Sequence, residues 1–469
     1  MKLLLIFLTI SFCSLFSAAV CQNTTSASVD ERVELMSIVF RIAGAPEYSK
    51  TAIEKYSRQI DQYFNQYLNN ELINFTKDLI KKNELGYDAV ISLALHLKIE
   101  KGRIFLNQDL DKQLLDKRWR KDTDKFVSLL NVFYTASNFH QFYFENKGLY
   151  SLSEKKFSKY LSTIDTNWFQ EFYGQEAKDS FNIILILAAG SGNYGVKIKY
   201  HTGQEVNYAI ICTREADSIG RPEYDTKEIQ LTTVHEFNHS FCNPLIDRCY
   251  LQFENSAKQC YKLVRKKMES MAYGEPKIMV YESFVRATSI MYEIKKGINE
   301  KEISKQIHRE QFRGFIWMDE LVNLLKIYET ERTAYPSLDT YMPIIIEKIN
   351  ALDHKKIAGN LYCKGSAEIL KYSIPTKSID VDPKTEELRV YFSMPMSGGF
   401  GLSQGKGGQK NYPEITSVKW QNDTHTELII SLKLHPGKFY SIEFPSSFNL
   451  DENYCEMSKS YTLNFKTKK

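Results

Sequence analysis

Two periods of hydrophobicity take turns along this chain. From Glu34 to about Asn182 apolar residues return at spacings of three and four, in ELMSIVFRIAG, IDQYFNQYLNNELINFTKDLIKK, GYDAVISLALHLKI and FVSLLNVFYTASNFHQFYFE, which predicts packed amphipathic helices. Near Phe181 the pattern changes. FNIILILAAG is a short apolar run, and YGVKIKY and EVNYAIICT alternate apolar with polar residues as half-buried strands do. Helical spacing returns from about Lys227 to Ala351. Beyond Ile379 come short alternating runs (ELRVYFS, ITSVKW, ELIISLK, FYSIEFP, YTLNFKTK) between turn-rich pieces, and strands at that density predict a small antiparallel sandwich. The expected architecture is α+β: helices over 34–180, a small sheet and further helices over 181–358, and a β-sandwich over 370–469.

The first residues stand outside this scheme. MKLLLIFLTISFCSLFSAAVC has one Lys, an apolar run from Leu3 to Phe16 and then small residues, the layout of a secretory signal peptide over 1–21. No later stretch approaches the roughly 18 apolar residues that cross a bilayer. Export follows, to the medium or the periplasm, and 22–33 reads as a short exposed leader. Lipid attachment at Cys21 is disfavoured by the bulk of Val20 just before it. Six further cysteines, Cys212, Cys242, Cys249, Cys260, Cys363 and Cys455, permit disulfides in an exported chain, with Cys249–Cys260 and Cys363–Cys455 favoured by neighbourhood.

Composition narrows the function. In 469 residues, 61 basic and 57 acidic side chains leave a formal charge of +4, too near balance to serve as an electrostatic footprint for nucleic acid. Tyr (29) and Phe (28) outnumber Gly (22) and Pro (12), so a large aromatic core is expected in place of disorder.

One pentapeptide carries chemistry: His235-Glu236-Phe237-Asn238-His239. On a helix, residues four apart share a face, so both imidazoles can meet one cation while the carboxylate between them stands ready as a base. Such a pair suits tetrahedral zinc with an open fourth position. Ile229, Leu231, Val234, Phe237 and Phe241 supply an apolar helix surface, and Asn243-Pro244 is read as its stop.

A third protein ligand is needed. Leu245 stands where a nearby third histidine would fall, and the next histidine, His308, lies in a polar stretch. Glu282 differs from other downstream carboxylates: it sits in KIMVYESFVRATSIMYEI, a run apolar on nearly every side, and a buried carboxylate must be paired or bind metal. The plain reading is an ion pair with Arg286 at i,i+4; both hold together if Arg286 orients the ligand. Asp247 is the competing ligand. Cys242 or Asp247 as a fourth donor would make the metal structural.

HEFNH with a glutamate 43 residues beyond the second histidine resembles the gluzincin branch of zinc metallopeptidases. More widely, ELMSIVFRIAG, GYDAVISLALHL, HEFNHSFCNP, YESFVRA and RGFIWMDELVNLL with YPSLDTYMPIII resemble the secreted bacterial family called domain of unknown function 4932. The resemblance implies a zincin-like, mainly helical catalytic unit with His235, His239 and Glu282 on Zn2+, Glu236 as general base and a peptide or protein substrate. It also implies a strand edge within Asn193 to Cys212 that pairs with extended substrate. An oxyanion-steadying residue is expected too, among Tyr335, Tyr341, Tyr281 and Tyr273, with Tyr335 preferred. The tail IDVDPKTEELRVYFSMPMS is similar to bacterial Ig-like modules, which implies a surface partner for the C-terminal domain. The rival expectation is a catalytically silent zincin scaffold that binds or adheres.

Overall fold

The computed structural model describes residues 26–49, 51–174, 180–190, 192–360, 366–452 and 454–469. The signal segment and Cys363 lie outside the described residues. The chain is mixed α+β and divides into two compact units, residues 1–163 with 178–225, and residues 164–177 with 226–469. The strands after 180 therefore belong with the N-terminal helices, and the short helix Asn167–Tyr173 belongs with the later ones. The boundary expected at 180 is thus replaced by an exchange of segments.

In the first unit the helix Glu31–Ile42 is buried from Val33 through Phe40, which is why its apolar pattern runs nearly unbroken. Asp30 caps it by accepting from the amides of Arg32 and Val33. Phe40, Trp119 and Phe126 pack together beneath it, with ring centroids 4.6 to 6.4 Å apart. The four-stranded sheet has Ser180–Ile186 at its interior, parallel to Glu205–Cys212 on one side and to Ser26–Ser28 on the other, and Tyr194–Lys199 antiparallel at the far edge. A parallel strand flanked on both sides is buried, and FNIILIL reads accordingly. The leader keeps Ser26 and Ser28 exposed, as expected, but it is also a strand, which the sequence did not announce. Ser26 to Ser28 pair with Asn182 to Ile184, because a central strand with bare amides on one edge must find a partner for them.

Glu34, on that first helix, is fully buried. It accepts from the Leu187 and Ala188 amides at 2.7 and 3.3 Å and from the Tyr56 hydroxyl at 2.8 Å. Burial pushes its carboxyl up to about 7, against the pull of these hydrogen bonds.

The second unit is built on two packed helices, Thr226–Cys249, which carries the pentapeptide, and Pro276–Lys295, which carries Glu282. Pro276 starts the latter, its fixed φ suiting the first helical position. The stop expected at Asn243-Pro244 does not occur. The helix runs through Pro244 to Cys249, since Leu245, Ile246 and Cys249 are buried beyond it and their burial outweighs the amide that proline lacks. Trp168, Phe169, Phe172 and Tyr173 are all buried, and they explain the exchanged segment: Phe169 stacks on Phe241 at 5.7 Å and Tyr173 on Phe241 at 4.5 Å.

After the helix His354–Asn360 the chain becomes all strand. One sheet orders Glu414–Trp420, Glu427–Lys433, Glu387–Phe392 and Ile369–Tyr372; the other orders Ser403–Gln404, Phe439–Phe444 and Tyr461–Lys466. Alternate residues of both, among them Leu388, Val390, Leu428, Ile430, Tyr440, Ile442, Leu463 and Phe465, close on one core. Cys455 is disulfide-bonded. The Cys249–Cys260 pairing is not formed: both thiols are free, with Cys249 donating to the Leu245 carbonyl at 3.3 Å and Cys260 facing the Met279 sulfur at 3.9 Å. Among the described residues no helix is long and apolar enough to cross a membrane.

Candidate metal centre

The pentapeptide helix turns two faces to different work. Val234, Phe237 and Phe241 are buried in the aromatic packing just described, which leaves His235 and His239, four residues apart, together on another face. Their rings lie 5.0 Å apart and nearly perpendicular. Asn238, between these faces, accepts from the Tyr173 hydroxyl at 2.8 Å and donates to Ser289 Oγ at 3.2 Å. Ser289 is two turns beyond Glu282 on the neighbouring helix, so this bond sets the register that brings Glu282 opposite the histidines.

The result is a convergence of three ligand atoms. Glu282 Oε2 is 3.6 Å from His235 Nε2 and Oε1 is 3.4 Å from His239 Nε2, and one such atom from each residue lies within 4.8 Å of the others. Donors each about 2.1 Å from a tetrahedral ion stand roughly 3.4 Å apart, so the two measured carboxylate–imidazole spacings fit a shared cation. Among the described residues this is the one such cluster. His239 Nδ1 faces Asn243 Oδ1 at 3.3 Å, a hydrogen bond that places the proton on Nδ1 and leaves Nε2 free to coordinate.

Charge states agree with ligation. Burial holds His235 well below the usual imidazole range, so it is neutral at pH 7. Burial, the largest single influence, would raise the Glu282 carboxyl, yet it lies low at about 2, because the Arg286 guanidinium, the two imidazoles and the Tyr273 hydroxyl together outweigh burial. Arg286 Nη2 reaches Glu282 Oε2 at 3.0 Å, its Nη1 reaches Glu310 Oε2 at 3.1 Å, and its plane covers the Phe315 ring at 4.6 Å. Glu310 in turn pairs with Arg313 at 3.2 Å.

The remaining expected residues are placed as follows. Glu236 is on the pentapeptide helix beside His235 and only 6% exposed. Tyr335 is not brought to the cluster: its ring packs edge-on against Tyr341 at 5.0 Å, and among the described residues no hydrogen bond or ring contact joins it to the three ligands. Tyr341 also packs on Tyr328, and Tyr281 donates its hydroxyl to Asp247. Tyr273 is the tyrosine that meets the site, accepting from Arg286 Nη2 at 3.2 Å. Asp247 is held outside by Tyr281 and by Lys277 at 2.5 Å. Cys242 is buried against the hydroxyls of Tyr173 at 3.1 Å and Thr288 at 3.7 Å, burial raises its thiol to about 11, and it is not among the three residues that converge. Asn238 and Glu310 are not singled out by the sequence, and Asn243 is read there only as part of a helix stop. Of the first two, only Asn238 left a trace there, as a polar residue on an apolar helix face.

The family model described as domain of unknown function (DUF4932) matches residues 26–348. The chain belongs to that family. The match takes in both ligand helices and the first unit and stops before the two C-terminal sheets. No curated protein matches the chain. Among solved structures, surface layer protein SbsC, domains 1-6, is 12% identical over 51% of this chain and 33% of that chain, with a TM-score of 0.17. The N-terminal part of the bacterial S-layer protein SbsC is 14% identical over 47% of this chain and 57% of that one, also at 0.17. The chain thus spans from a third to just over half of the length of these S-layer structures.

Proposed function

We propose that this member of the DUF4932 family is an exported, zinc-dependent peptidase with a gluzincin-like, zincin-type centre, followed by an Ig-like module able to hold a surface partner. The observation that carries the proposal is the meeting of His235, His239 and Glu282, with Glu282 oxygens 3.4 and 3.6 Å from the two imidazole Nε2 atoms, on the helix pair that also bears Glu236. Three protein donors, with no fourth from Cys242 or Asp247, are the signature of a catalytic site in place of a structural one.

Zinc, when bound, supplies a Lewis acid that polarises a carbonyl and brings a water toward ionisation near pH 7. The chain's own residues do the rest. Two imidazoles and one carboxylate would hold the ion, and Arg286 keeps Glu282 ionised while bonding it at 3.0 Å. Glu236 takes the proton of the water that attacks a peptide carbonyl and passes it to the departing amine.

The test is a broad peptide-library digest by wild-type and Glu236→Gln protein, with zinc content measured on both. Wild type is expected to cleave, and the variant to keep its zinc and lose about 10²- to 10⁴-fold in rate. Stoichiometric zinc with no cleavage by wild type would instead leave a silent binding scaffold. Full activity in Glu236→Gln would remove Glu236 from the mechanism.

A further inference from the structure

Tyr273 precedes the Glu282 helix in a short connection, and its backbone is tied at both ends. Its amide donates to the Met268 carbonyl at 2.9 Å and its carbonyl accepts from the Tyr261 hydroxyl at 3.0 Å. The residue before it, Ala272, sits at φ +65°, in the left-handed region that costs a residue with a Cβ of order 1 kcal/mol. Such a conformation persists where the surroundings over-determine it, and it is common where a side chain must be aimed. Gly274 follows, so the choice of alanine over glycine at 272 is not for want of small residues in this turn.

What is aimed is the phenol. Arg286 Nη2 donates into Tyr273 Oη at 3.2 Å, and the same nitrogen donates to Glu282 Oε2 at 3.0 Å. The ring is steadied by Phe315 at 6.1 Å, the same ring that Arg286 covers. The Arg286 guanidinium therefore bridges phenol and carboxylate, bonded by one nitrogen to Tyr273 and to Glu282. A guanidinium free to shift lets the carboxylate it holds turn about its last torsion, whereas an acceptor on a separately anchored loop fixes the guanidinium.

We propose that Tyr273 is a positioning residue for the metal centre, fixing the Arg286 guanidinium and through it the Glu282 carboxylate in the orientation that meets His235 and His239. The proposal rests on the metal reading given above and not on peptide cleavage. Tyr273→Phe keeps the ring on Phe315 and the backbone ties, and removes only the hydroxyl. Metal-free protein titrated with zinc chloride against a competing chelator is expected to show zinc bound 10- to 100-fold more weakly in Tyr273→Phe than in wild type, the range that loss of an outer partner costs. Tyr261→Phe, which frees the Tyr273 carbonyl but leaves the phenol in place, should weaken zinc less and in the same direction. Tyr335→Phe should leave zinc affinity within twofold. Thermal unfolding of the metal-free proteins shows whether each variant folds; a purely structural role would lower the unfolding temperature and leave zinc affinity alone. Zinc affinity in a folded Tyr273→Phe within twofold of wild type overturns the proposal. A wild type that takes up no zinc overturns both this inference and the peptidase reading, and one that binds zinc tightly yet cleaves nothing overturns the latter only.

Discussion

Glu34 and Glu282 are both shielded from solvent, at 0% and 7% exposed, and they are held in opposite states. Glu34 meets two backbone amides and a tyrosine hydroxyl, and with no cation among its partners burial raises its carboxyl to about 7. Glu282 meets a guanidinium and two imidazoles, and its carboxyl falls to about 2. Neutral donors can satisfy a buried carboxyl but leave its charge costly, while a cation makes the charged form the cheaper one. The first arrangement ties a helix to the end of a strand. The second keeps an anion ready for a metal.

Four experiments press on that contrast, from the largest expected effect to the smallest. Glu282→Gln makes the metal-facing group neutral and should weaken zinc about 1,000-fold, roughly a third of the binding free energy of a 10–16 kcal/mol zinc site shared among three ligands; isothermal titration with a chelator competitor reads it. Zinc bound as tightly as in wild type would show Glu282 to be no ligand. Arg286→Met leaves Glu282 and Glu310 buried without their shared cation and should cost about 3–5 kcal/mol in urea unfolding of the metal-free protein. Added zinc should recover part of that loss by binding the folded state.

The third experiment is a pH series. Glu34 has its folded pKa raised to about 7 from an ordinary 4.5, so between these values the folded protein holds a proton that the unfolded chain has released. The stability it contributes is whole below about pH 4.5 and is lost as pH rises through 7, by about 3 kcal/mol in all at about 1.4 kcal/mol per unit. Urea unfolding of wild type and Glu34→Gln from pH 4.5 to 8 should show the variant lacking this decline; parallel profiles would mean that Glu34 is not held protonated. The last is Asn243→Ala, which frees His239 Nδ1 and should weaken zinc about tenfold, at the low end for an outer partner. No change would mean that His239 is oriented by packing alone.

Much of the candidate site was legible because its parts are local. Two histidines four apart share a helix face whatever the rest of the chain does, and a lone carboxylate with an arginine four residues on, inside an apolar run, reads as buried and paired; Glu282 and Arg286 stand so, 3.0 Å apart. The choice among tyrosines was not legible. Tyr335 and Tyr273 each precede a helix in a polar turn, and only the backbone ties of Tyr273 and the ring of Phe315 bring its hydroxyl to Arg286 beside the ligand. Pro244 misled for a related reason: the local rule ends a helix there, and burial of Leu245 and Ile246 overrules it.

The same division holds for the fold. Periodicity marked most of where this chain is helical and where it is stranded, because apolar spacing follows from backbone geometry within a few residues, but it missed the hairpin of Leu97–Glu100 with Arg103–Leu106 inside the first helical stretch. Only the tertiary structure decided that Ser26–Ser28 completes a sheet with a strand more than 150 residues away, that Asn167–Tyr173 joins the second unit, and that Asn238 sets the helix register behind the cluster. Those outcomes depend on which unsatisfied amide or aromatic face finds which partner, and such pairings across long stretches of chain leave no period for a sequence to carry.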